Sequence, residues 1–159
     1  MSRKGAMSAK ENAKKRKAGI VFEERNGIDL RDEPGEEVNR LSKLVVGAAI
    51  EVHSHLGPGL LESAYEEALC MELKLRGIAF ERQFPVKIFY KGSPVGESRL
   101  DLLVDGLLIV ELKACETILP LHRAQVISYL RATGKQLALI LNFNVPVLKE
   151  GIKRIVLTR

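Results

Sequence analysis

The chain has 159 residues, of which 46% are apolar and 28% charged, the balance of a single soluble domain. No apolar run approaches the ~20 residues needed to cross a bilayer, and the N-terminus lacks the apolar stretch of a secretory signal. We therefore expect a cytoplasmic protein without a membrane segment. Cys70 and Cys115 are too few for an iron–sulfur cluster or a Cys-based zinc site, and both are expected to be buried and reduced.

The positive charge is concentrated at the N-terminus. Residues 1–19 contain seven Lys or Arg and one Glu, a net charge of +6, whereas the other 18 basic and 19 acidic residues nearly cancel. Polar composition and the breaker cluster Asp32–Gly35 predict a basic, disordered tail over residues 1–35 and a folded domain over 36–159. Such a tail can hold nucleic acid non-specifically, but a solvated, disordered segment without a role is the simpler explanation and is favoured.

Two helices are predicted first. Apolar side chains with the i, i+3, i+4 spacing indicate a helix that starts at Asn39 as N-cap, or slightly earlier with the acidic pair 36–37 in its first turn. A second helix is predicted from Leu60 to Arg76. His53 and His55 lie near the end of the first helix, where we expect them at the surface, interacting favourably with the helix dipole.

Three strands are predicted next. They run from Phe84 to Tyr90, from Arg99 to Val104 and from Leu107 to Ala114, and they are rich in β-branched and other large apolar residues. Lys91–Pro94 is a predicted turn between the first two strands. Asp105-Gly106 between the last two is a strong hairpin signal.

The last elements are a helix and two strands. The helix is predicted from Leu121 to Ala132, and the strands from Gln136 to Phe143 and from Ile152 to Leu157. The order is helix, helix, three strands, helix, strand, strand. This order predicts an α/β domain with a mixed central sheet flanked by helices, in which one helix is a crossover connection.

The predicted hairpin carries charges within apolar strands. Asp101 lies among Leu and Val residues, and Glu111 and Lys113, two positions apart, point to the same face of the next strand. Buried charges are costly unless they are paired or coordinated, so a structural salt bridge and a metal site are both open. Two adjacent carboxylates suit Mg²⁺ or Mn²⁺, and a nearby lysine can orient an attacking water.

The register of the hairpin decides whether the carboxylates can meet. A two-residue Asp105-Gly106 loop would put Asp101 and Glu111 on opposite faces. A three-residue Val104–Gly106 loop, or a bulge, would put them diagonally on one face, with Arg99 opposite Glu111. The metal-site hypothesis therefore predicts a three-residue loop or a bulge.

Three motifs resemble those of a known family. Gly59-Leu-Leu-Glu62-Ser-Ala-Tyr65 matches a GxxExxY signature, and Asp101 followed by Glu111-Leu-Lys113 matches D…(D/E)xK. Gln125-Val-Ile-Ser-Tyr129 resembles the QxxxY motif of RecB-like and lambda-type exonucleases. Residues 40–157 thus resemble the GxxExxY protein family, which is placed in the PD-(D/E)XK nuclease superfamily.

This resemblance implies a PD-(D/E)XK nuclease-like core and a Mg²⁺- or Mn²⁺-dependent nuclease. Asp101, Glu111 and Glu62 would hold the metal, and Lys113 would be the catalytic lysine. The substrate would be nucleic acid, with DNA favoured over RNA. The alternative is a nucleic-acid-binding or protein-interaction module that keeps the fold without turnover. The oligomeric state is left open, a homodimer included.

Four more residues are candidates for substrate binding or support. By the resemblance, Gln125 and Tyr129, one helical turn apart, would line the site. Tyr65 falls on the apolar side of its helix, where packing in the core with a hydrogen-bonded hydroxyl competes with a functional role. His122, at the start of the helix that bears Gln125, could reach phosphate or simply lie at the surface.

Overall fold

The computed structural model describes residues 21–22 and 33–157. The elements are α1 (Glu36–Leu56), α2 (Glu62–Leu75), α3 (Pro120–Thr133), β1 (Val21–Phe22), β2 (Phe80–Tyr90), β3 (Ser93–Val104), β4 (Leu108–Lys113), β5 (Leu137–Asn142) and β6 (Ile152–Val156), with a 3-10 turn (Leu148–Gly151) before β6. Within the described part, no helix has the length and apolarity to span a membrane.

The strands form one mixed sheet in the order β1-β6-β5-β4-β3-β2. β4 and β5 are parallel, and every other neighbouring pair is antiparallel. A parallel pair needs a long connection, and α3 supplies it. The predicted α/β class, with a mixed sheet and a crossover helix, is confirmed.

The helices cover both faces of the sheet. α1 and α2 pack on one face, where the alternate residues Leu108, Val110 and Leu112 of β4 enter their core cluster. α3 packs on the other face, where Ile109 enters a second cluster. β4 is therefore buried on both sides, which explains its nearly continuous apolar sequence. Glu111 and Lys113 are the exceptions, and both point to the α3 face.

The start of α1 differs from one of the two predictions. Gly35 is the N-cap, and the backbone N–H of Asn39 already donates to the Gly35 carbonyl at 3.1 Å. The Asn39 side chain donates to the Pro34 carbonyl at 2.9 Å, so Asn39 is not the cap. The alternative start, with Glu36 and Glu37 in the first turn, is the one observed.

The predicted surface position of His53 is wrong. Its ring is buried, and Nε2 lies 2.8 Å from the carbonyl oxygen of Val145 in the loop after β5. The helix-end pattern could not indicate this contact, because the partner is 92 residues away in sequence. His55 is exposed as expected and lies 3.0 Å from Glu51.

Both cysteines are free thiols, but only Cys70 is buried, and Cys115 is half-buried. Burial raises the pKa of the Cys70 thiol to about 11, which keeps it protonated and unreactive.

The predicted tail, residues 1–35, lies mostly outside the described residues. Of the rest, Val21–Phe22 pair with β6. The division at residue 36 remains a prediction.

Candidate active site

The β3–β4 hairpin has the three-residue loop that a shared carboxylate face requires. Val104 pairs with Leu108, which leaves Asp105–Leu107 as the loop, and its first two residues have positive φ angles of 49° and 65°. The predicted loop length is confirmed, but the loop lies one residue later than predicted. The last backbone pair along the strands is Leu102 with Val110, so the next position sets Asp101 directly opposite Glu111. The predicted register had placed these two residues diagonally.

The two strands separate where the carboxylates lie. The last backbone pair joins Leu102 to Val110. Beyond it, the backbone N–H of Asp101 donates to Glu111 Oε1 at 3.1 Å, and the N–H of Leu112 donates to Asp101 Oδ2 at 2.8 Å. Each carboxylate therefore accepts a hydrogen bond from a backbone N–H of the facing strand, where a regular ladder would use a backbone carbonyl.

At Asp101 the side-chain alternation of β3 changes from one face of the sheet to the other. Leu100 and Leu102 are two residues apart and would share a face in a regular strand. However, Leu102 packs in the α1–α2 cluster and Leu100 in the α3 cluster. Opposite Asp101, Gln83 has a positive φ of 50°, so both strands are irregular at this position. Asp101 is thereby placed between the two faces of the sheet.

The pair of carboxylates carries unfavourable electrostatics. Glu111 is only 4% exposed, and burial, reinforced by the charge of Asp101, raises its pKa to about 8. Burial likewise raises the pKa of Asp101. Two hard oxygen donors that are costly to ionise together fit a divalent cation such as Mg²⁺ or Mn²⁺, which would remove that cost.

Glu62 and Lys113 flank this pair. Glu62 is the first residue of α2, and its pKa is raised by burial and by the charge of Asp101. Lys113 lies two residues beyond Glu111, and its charge acts in the opposite sense on all three carboxyl groups. Within residues 33–157, no three His, Cys, Asp or Glu side chains lie close enough to hold one ion. The expected convergence of three carboxylates is therefore seen only for the Asp101–Glu111 pair.

Glu66 is a neighbour of the site that the sequence analysis missed. It lies one helical turn after Glu62, and its charge raises the pKa of both Glu62 and Asp101. Its carboxylate accepts hydrogen bonds from Arg82 at 2.9 Å and from Gln83 at 2.8 Å. The i, i+4 spacing from Glu62 was the available signal.

Tyr129 and Gln125 approach the site from α3. The Tyr129 hydroxyl lies 3.0 Å from Ser98 Oγ on β3. Burial raises the pKa of Tyr129, the charges of Glu111 and Asp101 add to this, and a hydrogen bond with Gln125 opposes it. Both predicted residues are thus on the face of the sheet to which Glu111 points. Ser98 was missed, because no motif marks it.

Tyr65 is buried and holds the loop between α1 and α2 in place. Its hydroxyl donates to the Gly57 carbonyl at 2.6 Å and accepts from the Leu60 N–H at 3.1 Å. Its ring stacks on Phe143 with centroids 4.6 Å apart. These contacts hold the loop that precedes Glu62 and so fix where α2 begins.

His122 lies in the first turn of α3. Its Nδ1 accepts a hydrogen bond from the backbone N–H of Leu119 at 3.1 Å, so the ring caps the start of the helix. The ring is partly buried. A phosphate contact by His122 remains a proposal.

Comparison with known proteins gives the family. A family model described as the PD-(D/E)XK nuclease superfamily matches residues 39–155. No curated protein and no solved structure matches the chain. Because the match covers most of its length, the chain belongs to the PD-(D/E)XK nuclease superfamily. Nucleases of this superfamily act on nucleic acid and generally use divalent metal ions.

Proposed function

We propose that this protein is a metal-dependent nuclease that hydrolyses phosphodiester bonds of DNA or RNA, with DNA favoured. The observation that carries the proposal is the pair of half-buried Asp101 and buried Glu111, which lie side by side at the point where β3 and β4 separate. Two carboxylates in such a place are destabilising without a cation. Lys113 beside them supplies the positive charge that hydrolysis at phosphorus requires.

Asp101 and Glu111 would hold Mg²⁺ or Mn²⁺, and Glu62 would complete the ligand set, directly or through an ordered water. The bound ion would supply polarisation of a phosphate oxygen and a lowered pKa for a coordinated water. Lys113 orients the attacking water and stabilises the negative charge that develops on the phosphate oxygens. Its position on the same face as Glu111 favours this role.

The remaining residues support the site. Tyr129 holds the middle of β3 through Ser98, and Gln125, which is exposed, contacts the substrate. Tyr65 positions Glu62 through the loop that it braces, which gives the GxxExxY signature a structural explanation. We also propose membership of the GxxExxY family on this basis. His122 lies close enough in sequence to Gln125 to serve at the mouth of the site.

A second candidate is a nucleic-acid-binding module without turnover. The observation in its favour is that Glu62 does not join Asp101 and Glu111 in a three-ligand cluster among the described residues. Cleavage and binding assays separate the two candidates.

The test is incubation of the purified protein with single-stranded DNA, duplex DNA and RNA in Mg²⁺, Mn²⁺ or EDTA. We expect cleavage with either metal, no cleavage in EDTA, and none by Asp101→Asn or Lys113→Ala. Asp105→Asn is a matched control, because Asp105 is an exposed acid in the same hairpin and Asn tolerates its positive φ. Metal-dependent cleavage that survives both site substitutions would contradict the proposal. Binding without any cleavage would favour the second candidate.

A further inference from the structure

The outer part of the β2–β3 hairpin projects from the sheet as a two-stranded ribbon. β3 spans twelve residues, but its backbone pairing with β4 is confined to Leu102–Val104. Ser93, Pro94 and Gly96 pair only with residues 88–90 of β2, which is the edge strand, and Val95 is the extra residue of a bulge. A ribbon of two strands gains little stability by itself, so its side chains are free to serve another purpose.

The tip of this ribbon is apolar and exposed. Phe89 and Tyr90 are 60% and 63% exposed, and Ile88 and Val95 are also largely open to solvent. The turn between the strands consists of Lys91 and Gly92, both with positive φ. Single exposed apolar residues are ordinary, but four at one hairpin tip, two of them aromatic, mark a contact surface.

Cations accompany the aromatic rings. Lys87, Lys91 and Arg99 are exposed, and Glu97 is the single acid among residues 84–99. Glu97 lies directly across from Lys87, so the net positive charge of the ribbon rests on Lys91 at the tip and on Arg99 toward the sheet. The Lys91 ammonium lies 5.4 Å from the centroid of the Tyr90 ring. Aromatic faces beside basic side chains are the chemistry that binds single-stranded nucleic acid, because bases stack on the rings and phosphates meet the cations.

The ribbon continues directly into the candidate active site. Val86 packs in the α3 cluster, and the alternation along β2 places Tyr90 on that same face, toward which Glu111 also points. The bulge beside Ile88 adds its extra residue to β3, so it does not interrupt this alternation. Phe89 lies on the opposite face of the ribbon. Ser93, the partner of Tyr90, precedes Asp101 by eight positions. At the rise of a β-strand, this separation is about 26 Å, a distance that a substrate strand of several nucleotides can span.

We propose that the β2–β3 ribbon is a binding arm for single-stranded nucleic acid, with Lys91 and Arg99 as phosphate contacts. Tyr90 is the base-stacking platform on the α3 face, and Phe89 offers a second platform on the opposite face of the tip. The inference rests on the proposed function for the identity of the substrate. A duplex hides its base faces within the stack, except at its ends. The arm therefore gives preference to single strands or to single-stranded ends.

The experiment measures fluorescence anisotropy of a labelled 20-nucleotide single strand and of the matching duplex, in EDTA so that nothing is cleaved. The double variant Phe89→Ala/Tyr90→Ala should bind the single strand about tenfold or more weakly, with a smaller loss on duplex. Phe89→Tyr/Tyr90→Phe keeps both rings and should retain affinity. Met71→Ala/Leu75→Ala removes equally exposed apolar side chains from α2 and is the matched control.

Several results would overturn the arm. They are unchanged single-strand affinity in the double Ala variant, an equal loss on duplex, or no binding of single strands by the wild type. A change from dimer to monomer in light scattering with unchanged affinity would reassign the tip to self-association. Because the binding assay needs no turnover, an inactive wild type that binds through the arm refutes only the proposed function. An active wild type with an unaffected double variant refutes only the arm.

Discussion

Glu111→Gln tests the electrostatic cost of the carboxylate pair. A carboxyl group with a raised pKa in the folded protein holds its proton more tightly there than in the unfolded chain. Its contribution to stability is therefore greatest at low pH and is lost as the pH rises from the unfolded pKa to the folded one. For Glu111 this window runs from 4.5 to about 8. Gln cannot ionise, but its oxygen can still accept the Asp101 N–H.

The magnitude follows from the shift. One pKa unit corresponds to about 1.4 kcal/mol, so the whole shift would be worth about 5 kcal/mol. Since Asp101 shares the repulsion, we expect about 2 kcal/mol to appear in the free energy of unfolding of the metal-free wild type. The Gln variant should lack this loss and should be the more stable protein at pH 8.

The assay is urea denaturation in EDTA between pH 5 and pH 8.5, with exposed Glu150→Gln as the control. The control should follow the wild-type pH profile. If the wild type and Glu111→Gln lose stability in parallel across this range, the carboxylate pair is not the source of the cost. Repeating the wild-type series in Mg²⁺ should flatten its profile, because a bound cation keeps both carboxylates ionised.

Three further outcomes are expected. Millimolar Mg²⁺ should raise the Tm of the wild type in a thermal-shift assay, and Asp101→Asn should abolish the increase; an equal increase in both would place the ion elsewhere. Gly151→Ala should lower the free energy of unfolding, measured in urea, by about 2 kcal/mol or more, because the added Cβ would lie 2.1 Å from the Asn142 carbonyl oxygen. An unchanged free energy of unfolding would show that the backbone shifts there without cost. Tyr65→Phe removes two hydrogen bonds and should cost about 1–2 kcal/mol while also reducing cleavage; full stability with full activity would remove its bracing role.

Local patterns in the sequence were sufficient for the hairpin that carries the site. The apolar alternation and the Asp105-Gly106 signal limited the loop to two lengths, and the chemistry of a shared face selected the longer one. The loop was predicted one residue early, because Asp105 itself adopts the left-handed conformation and Leu107 completes the turn. Asp tolerates that conformation better than most residues, so the shift has a local cause.

Long-range packing accounts for the features that were missed. The positive φ of Gln83 and the change of face at Asp101 depend on how β2 and β3 pass between two separate core clusters. Ser98 gained its significance from Tyr129, 31 residues away. No periodicity within one segment carries such information, and the buried position of His53 follows the same rule.

The hydrogen bonds from Asp101 and Leu112 to the two carboxylates have a further consequence for the shape of the molecule. Adjacent antiparallel strands normally continue their backbone hydrogen bonds as far as donors and acceptors match. Here the side chains of Asp101 and Glu111 lie between β3 and β4 and accept those N–H groups instead. Replacing both Asp101 and Glu111 with small apolar residues would let β3 and β4 close by another rung. The same carboxylates that we propose to hold the metal thus take the place of backbone carbonyls as acceptors between β3 and β4.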